Sequence, residues 1–563
     1  LNSDTITYPC HAGGDQKLDA LSLTARWSIA AIAALIWFSF LGYRDLVDPD
    51  EGRYAEIPRE MVVNGDWLTP RLNGYKYFEK PALQYWATAI SYTLFGESNA
   101  TARLWVAVIG FVGALCAWFI NARLFGARAG FLAFLVLTSM LFYVVLGHLL
   151  SLDMSVSVFM FLGIGALLVA QSRRGEPTQV RRWMLIGWAM LGCATLSKGL
   201  MGIVLPGGGV LLYMLWQRDW SLLRHLHLGT GLLMFLAVTA PWFIAVSIAN
   251  PEFAQFFFIH EHFARYSTDV HGHTQPFWFF LPILAGGVLP WLGGLTRALL
   301  RPGFHWWPEP GRVFDPIRLL WTYVVFIFVF FSLSQSKLHA YILPMFPALA
   351  LIIGKNLAER SGVRMEILSM GLGGILLLTT AALLHLGASQ NTPVEILYNY
   401  RPWLIGAGLL LLVGALAAYG MTRRNQVHAL TVVALVSLLA FQTASLGYQS
   451  INQTRSSREL ANAIRPLINP DSPVFSVQSY PQSLPFYLGQ TLTLVKYEGE
   501  LAMGIRQEPR DIIHSWKEFR ARWIAADRAV AVFHTRDLEH VNLADFPGRI
   551  VYRDPRKTAL SKR

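Results

Sequence analysis

Long apolar runs separated by short polar connections recur from Trp27 to Leu446. Each approaches the ~20 residues that a helix needs to cross a bilayer, so the pattern predicts an α-helical polytopic membrane protein. The least apolar run is Pro81–Phe95, "PALQYWATAISYTLF". Its Gln84, Tyr85, Trp86, Thr88, Ser91, Tyr92 and Thr93 suit a helix lying in the interface better than one that crosses. Setting it aside leaves about thirteen transmembrane helices, and the loop charges then sort by side. One set of connections carries Arg123, Arg128, Arg173, Arg174, Arg181, Arg182, Arg218, Arg224, Arg297, Arg301, Arg312, Lys355, Arg360, Arg364, Arg423 and Arg424. The other holds little beyond Lys198, Arg265, Lys337 and Arg401. By the positive-inside rule the first set is cytoplasmic, which puts the amino terminus inside and the loop after the first span outside. The first ~20 residues are polar and lack the apolar core of a cleavable signal peptide, so the run after Arg26 is expected to stay as an anchor.

The runs stop after Leu446. From Gly447 to Arg563 helix-like pieces ("SRELANAIRPLI", "DIIHSWKEFRARWIAA") alternate with strand-like ones ("SPVFSVQ", "TLTLVKY", "RAVAVFH", "RIVYRD"). This reads as an α/β domain, and an odd number of spans places it outside. The expected division is residues 1–446 for the membrane domain and 447–563 for the outward one, with interfacial helices at about 49–63 and 81–96 in the first outward loop.

Composition agrees: 54% of the 563 residues are hydrophobic and 15% charged, far from the quarter or so of charge in a soluble domain. The net charge of +12 comes in short clusters between apolar runs, without a basic stripe or recognition motif, so nucleic acid is not an expected partner. Membrane topology and phosphate-bearing lipids account for it better. Cys10, Cys116 and Cys193 have no metal-ligand spacing and read as packing residues.

The stretch Arg44 to Val62, "RDLVDPDEGRYAEIPREMV", places acids beside the first span. As a helix it takes Asp48 as N-cap, Pro49 at the first position and Glu51 three residues after the cap. Tyr54, Ile57, Pro58, Met61 and Val62 then share one face and Arg53, Glu56 and Glu60 another, which predicts a helix lying along the membrane surface. Asp50 is left without a structural duty. Further outward segments add Tyr75, Lys76, Tyr77, Glu79 and Lys80, then Asp153, Lys198, His260, Glu261, His262 and Arg265, and finally Gln335, Lys337, His339 and Tyr341. Ionisable groups gathered at span ends on one side suggest a shared polar cavity, with cations for a lipid phosphate and acids for sugar hydroxyls or an amine.

The segment "DPDEGRYAEIPREMVVNGDWLTPRLNGYKYFEKPALQYW" closely resembles the first outward loop of the bacterial branch of the protein O-mannosyltransferase superfamily, whose members are membrane glycosyltransferases of the GT-C fold. Within it, the pattern is most similar to the lipid A aminoarabinose transferases. The resemblance implies transfer of 4-amino-4-deoxy-L-arabinose from undecaprenyl phosphate to lipid A phosphates at the periplasmic face of the bacterial inner membrane, with resistance to polymyxin and cationic antimicrobial peptides. By position, Asp50 matches the family's first-loop acid, Glu79 and Lys80 its "EK" pair, and Asp153 its second acid, so Asp50, Asp153 and Glu79 are the catalytic candidates. Ala82 departs from a pattern that often has a second proline there. Arg53, Tyr54, Tyr77, Lys80, Lys198, His260, Arg265, Lys337 and Tyr341 are the candidates for binding the substrate and its phosphate, with Lys198, His260, Arg265 and Lys337 assigned from topology. No cofactor is required; Glu79 with His260 is the pair that could hold a divalent ion if their loops meet. Rival readings are a glycosyltransferase of the same fold moving another sugar to protein, lipid or glycan, and a transporter or flippase, for which "LPGGGV" (Leu205 to Val210) is the broken-helix signal.

Overall fold

The computed structural model describes residues 21–264, 275–300, 314–359, 362–423, 425–510 and 512–562, without the side chains of residues 260–264, 539, 540 and 543. The apolar runs become helices α1 (Leu23–Phe38), α2 (Asp50–Asn64), α3 (Leu83–Phe95), α4 (Asn99–Phe125), α5 (Ala127–Ser139), α6 (Leu141–Leu146), α7 (Asp153–Gln171), α8 (Pro177–Lys198) and α9 (Met201–Gln217). Further helices follow at Leu228–Ala249, Pro316–Leu333, Met345–Glu359, Arg364–Leu383, Val394–Met421 and Gln426–Gly447. Among the described residues, seven helices are long and apolar enough to cross a membrane, and Leu23–Phe38, Ala127–Ser139 and Met201–Gln217 are shorter apolar ones. The 13 residues of α3 span about 20 Å at 1.5 Å per residue, short of a ~30 Å hydrocarbon core.

Two of the apolar stretches between Trp27 and Leu446 are broken. Leu132–Leu146 divides at Met140, which is extended, and Phe277–Leu292 divides between helices Phe280–Gly287 and Leu292–Leu299. The breaks face each other, with the Leu141 N–H donating to the Leu289 carbonyl at 3.0 Å. Backbone groups released inside a bundle need partners, and here each break supplies the other's. "LPGGGV", by contrast, does not break: α9 runs through Pro206. A Cβ added at Gly208 would lie 2.1 Å from the Phe326 ring and one at Gly209 3.0 Å from Tyr323, so these two glycines serve close approach to Pro316–Leu333.

The two ends of the bundle differ. The start of α4, the entry to α7 and the end of Leu228–Ala249 meet the first loop, through Arg103 on Glu51, the Leu150 N–H on Glu51 and Asn250 on Thr69, and the end of α8 meets the start of α7 through Lys198 on Asp153. Arg123, Arg173, Arg174, Arg181, Arg182 and Arg218 lie at the opposite ends of these helices or of their neighbour α9. Cys116 and Cys193 are unpaired and half-buried; Cys10 lies outside the described residues.

Beyond Gly447 comes a six-stranded sheet. After the first-loop hairpin of β1 (Arg71–Leu72) and β2 (Tyr75–Lys76), its strands are β3 (Val474–Val477), β4 (Thr493–Val495), β5 (Ile512–Ile513), β6 (Val530–His534), β7 (Arg549–Arg553) and β8 (Lys557–Ser561). The order is β5-β4-β3-β6-β8-β7, with β5, β4, β3 and β6 parallel and β8 antiparallel to both β6 and β7. Strand alternation divides two cores: Val474, Val530 and Val532 join the core shared with the bundle, while Phe475, Ala531 and Phe533 pack with Phe519, Trp523 and Phe546. The segment "DIIHSWKEFRARWIAA" is not one helix. Ile512–Ile513 form β5, and the helix starts at Trp516 because the Ser515 side chain caps it, accepting from the Glu518 N–H.

Candidate functional site

The structure revises the local reading of the first loop. α2 begins at Asp50 with Pro49 at the cap position and no side-chain cap, so Asp48 is not the N-cap. Its carboxylate instead accepts from the Ser483 N–H at 2.6 Å and the Ser457 hydroxyl at 3.2 Å, tying the loop to the C-terminal domain. Glu51 does accept from the Val47 N–H at 3.2 Å, but its larger role is a two-point ion pair with Arg103 of α4, 2.7 Å at each contact, with both side chains 1% exposed. Burial alone would raise the Glu51 carboxyl, and the Arg103 guanidinium outweighs it and holds the group below the ordinary carboxylate range.

Nor is the polar face of α2 wet. Glu56, Arg59 and Glu60 are as buried as Ile57 and Met61. The C-terminal domain covers them: Arg59 reaches the Gly489 carbonyl, and a Cβ on Gly52 would sit 2.4 Å from the Ser483 nitrogen. Arg59 pairs with Glu56 at 2.6 Å, while Glu60 accepts from the Gly74 N–H at 2.9 Å. Burial, with the Glu56 charge nearby, pushes Glu60 up to about 8.

The hairpin β1–β2 turns on Asn73 and Gly74, both at positive φ, as a two-residue hairpin turn requires. Asn73 is paired through both side-chain atoms to the backbone of Leu492 at 2.9 and 2.7 Å. Lys76 pairs with Glu252 at 2.8 Å, and Arg71 with Glu508 at 2.6 Å. The first loop is thereby held from both sides.

This frame presents Asp50 and Arg53. Arg53 is bonded to Asp50 at 2.7 Å and to the Tyr77 hydroxyl at 2.7 Å, lies 3.8 Å from Glu79, and stacks over the rings of Tyr54 and Tyr77. The Asp50 side chain is 60% exposed, so the cluster opens at its acid. Burial opposes the Arg53 charge, and Tyr77, Tyr54, Asp50 and Glu79 more than restore it, keeping the guanidinium protonated. Lys80 is half-buried beside Glu79, donating to the Glu79 carbonyl at 2.8 Å. Ala82 is the cap position of α3, whose first helical residue is Leu83.

A second cluster joins Asp153, at the start of α7, to Lys198, at the end of α8, in a direct ion pair over the Tyr341 ring. The two clusters are linked through α3: Gln84 accepts from Ser155 at 2.6 Å, and the next residue, Tyr85, packs its ring 6.2 Å from Tyr54. The Tyr85 hydroxyl, the Thr88 hydroxyl and the Gln84 amide nitrogen are buried without a hydrogen-bond partner among the described residues. Lys337 is buried on the loop before Tyr341 and donates to the Ser334 carbonyl. Arg265 and the His260 side chain lie outside the described residues, so the Glu79 and His260 pair does too; the His260 backbone belongs to the π-helix Gln255–Ala264. Among the described residues, no group of three or more His, Cys, Asp or Glu side chains is placed to hold a metal ion.

The sequence reading missed Arg103, although a lone arginine opening a long apolar run is a span-end charge of the kind that marks a functional end. It also missed the C-terminal residues that close the site, since Ser483, Gly489, Leu492 and Glu508 are brought to the first loop from more than 400 positions away.

A helical bundle with acids and cations gathered on its first loop at one end, roofed by a C-terminal sheet domain, is a membrane glycosyltransferase of the GT-C fold. Residues 79–244 match the dolichyl-phosphate-mannose-protein mannosyltransferase family, and residues 460–562 the aminoarabinose transferase C-terminal domain. The chain belongs to the undecaprenyl phosphate-α-4-amino-4-deoxy-L-arabinose arabinosyl transferase family. A relative of that name from Shewanella sediminis is 32% identical over 83% of this chain and 85% of its own, and one from Pseudomonas paraeruginosa is 35% identical over 70% and 71%. The crystal structure of ArnT from Cupriavidus metallidurans bound to undecaprenyl phosphate superposes with a TM-score of 0.89 at 34% identity, covering 95% of this chain and 98% of that one. An archaeal oligosaccharyltransferase from Archaeoglobus fulgidus, at 12% identity and a TM-score of 0.50, shares the fold alone.

Proposed function

We propose that this enzyme transfers 4-amino-4-deoxy-L-arabinose from undecaprenyl phosphate to phosphate groups of lipid A at the periplasmic face of the bacterial inner membrane. This masks negative charge and confers resistance to polymyxin and cationic antimicrobial peptides. The observation that carries the reading is the Asp50–Arg53–Tyr77–Glu79 cluster beside Lys80, set in a chain that matches a solved arabinosyl transferase-family structure along nearly its whole length.

In the transfer, the bond from the anomeric carbon to the undecaprenyl phosphate oxygen breaks and its electron pair stays on that oxygen. An oxygen of the acceptor phosphate bonds to the same carbon. Lys80, Lys337 and Arg265 are assigned to the leaving phosphate, whose growing charge a pre-placed cation stabilises. Lys198 is already paired with Asp153, so the two act as one neutral unit that positions the sugar. An acceptor phosphate monoester with its second pKa near ~6 is largely ionised at neutral pH and needs little help in losing a proton. Asp50, held by Arg53 yet open to solvent, therefore orients the acceptor or contacts the donor amine rather than serving chiefly as a base. No resident metal is needed for these steps.

Purified enzyme given the aminoarabinose donor and lipid A is expected to yield aminoarabinosyl lipid A, with the rate falling roughly 10²–10³-fold in Arg53→Ala. Equal use of an undecaprenyl phosphate donor carrying an unrelated neutral sugar would remove the sugar assignment.

A further inference from the structure

Away from the reaction cluster, a cavity of about 160 Å³ lies where the C-terminal sheet meets the membrane domain. The sheet itself puts it there. From β3 the chain proceeds outward to β4 and β5, and β6 then returns to the other side of β3. The carboxyl ends of β3 and β6 therefore flank a topological switch point, the place where open parallel sheets bind ligands. Ser479, Tyr480 and Pro481 leave β3 into the cavity, and Val532, Phe533 and His534 end β6 beside it. The remaining wall is basic: Arg455, at the end of the helix Gln449–Arg455 that follows the last membrane helix, with Arg556 and Lys557 from the turn into β8.

The charges of this wall are unequal in their needs. Lys557 is occupied, donating to the Ser456 carbonyl at 2.7 Å and lying 3.7 Å from the Asp48 carboxylate. Asp48 is the one carboxylate in the lining, and the Ser483 N–H and Ser457 hydroxyl also bond it. Arg455 and Arg556 have no ion-pair partner among the described residues, and the Nε of each is buried without a hydrogen-bond partner there. They face each other closely enough that Arg455 is the largest charge acting on Arg556, and it is a repulsive one. Two half-buried guanidinium groups border one crevice. The acids acting on Arg556, Asp554 and Asp48, are already engaged, Asp554 by the Arg556 and Lys557 N–H groups and the Tyr552 hydroxyl and Asp48 by Lys557, the Ser483 N–H and the Ser457 hydroxyl, so the guanidinium pair is one that an added anion completes. A water needs ~15 Å³ of such space, so the cavity admits a small tetrahedral anion and its waters and excludes a nucleotide.

We propose that this crevice is a phosphate-binding site, separate from the reaction centre, that takes a phosphate, free or as a monoester, between Arg455 and Arg556. Bound there, the anion joins the last membrane helix to the sheet. It also sits against Asp48, two residues before Asp50, and so links occupancy to the placement of the reaction cluster. The phosphate arrives either as a free ion or as a lipid headgroup.

The test uses the full chain carrying Lys80→Ala, which weakens the phosphate contact of the reaction centre. Inorganic phosphate is titrated by calorimetry at constant ionic strength, in detergent and in nanodiscs of phosphatidylcholine with or without phosphatidic acid. Saturable binding is expected in detergent, weakened at least about tenfold by Arg455→Gln with Arg556→Gln and largely kept by Arg455→Lys. If the lipid headgroup is the source, phosphatidic acid abolishes phosphate binding; if free phosphate is, that lipid leaves it unchanged. Phosphate should also raise the thermal unfolding midpoint of the parent chain and not of the double variant. Absence of saturable binding, or binding within twofold of the parent in a double variant that keeps the parent's unfolding midpoint without phosphate, overturns the site. Should the double variant not fold, Arg556→Gln alone is titrated against the same criterion.

Discussion

Asp48 and Asp50 are two residues apart and have different duties. Asp48 is consumed by the C-terminal domain, while Asp50 keeps one ion pair and an open face. Local rules of helix capping could not separate them, because the deciding partners of Asp48, at Ser457 and Ser483, are distant in sequence. Glu79, Lys80 and Asp153 stood out as charges bordering apolar runs and Asp50 as the first-loop acid left without a capping duty, and the fold brings Asp50 and Glu79 onto Arg53 and Asp153 onto Lys198. Glu60 shows the opposite case, since it reads as a wet-face acid and is buried. In the unfolded chain it ionises near ~4.3, but in the fold it stays protonated up to about 8. Below both values it contributes nothing. As pH rises through this window, the unfolded state releases a proton that the folded state retains, so stability falls. Burial raises Glu56 as well, adding to the same slope. Unfolding midpoints of the detergent-solubilised enzyme should therefore drop between about pH 5 and 8, less steeply in Glu60→Gln; identical slopes would count against a protonated Glu60.

At the scale of elements, the apolar runs gave most helices to within a few residues. They could not reveal the breaks at Met140 and around Leu289, because the compensating bond between Leu141 and Leu289 joins distant segments. α2 is the informative miss. Its apolar periodicity is real, yet its polar stripe is also covered, which no periodicity within a fifteen-residue helix can disclose. The Glu51–Arg103 pair locks this helix to α4. Breaking a buried pair from one side leaves an uncompensated charge, so Glu51→Gln should lower stability by ~3–5 kcal/mol. Combining it with Arg103→Gln should cost less than the two single changes added, with a coupling of ~1–3 kcal/mol. Chemical denaturation of the four proteins checks this, and simple additivity would show that the two side chains act independently.

For the whole molecule, one sheet face continues the core of the helical bundle, so the C-terminal domain forms a roof over the first loop rather than a tethered appendage. Its α/β character was readable from alternating segments, but β8 and the docking face were not, since strand propensity carries no information on what a strand packs against. On the proposed function, this roof and the Asp50 cluster face the periplasm. Cysteines introduced singly at exposed Arg510 and Arg536 should react with an impermeant maleimide in intact spheroplasts, whereas one at Arg173, at the basic end of the bundle, should react only after lysis. The reverse labelling would invert the orientation.

The enzymatic claim is tested most directly by mass spectrometry of lipid A from cells lacking their own aminoarabinose transfer but supplied with donor, and expressing this chain, Asp50→Ala or Lys80→Ala. The unaltered chain should add one or more aminopentose units to lipid A, and each variant should lose nearly all of that product at matched protein levels. Lipid A of unchanged mass in all three strains would contradict the account.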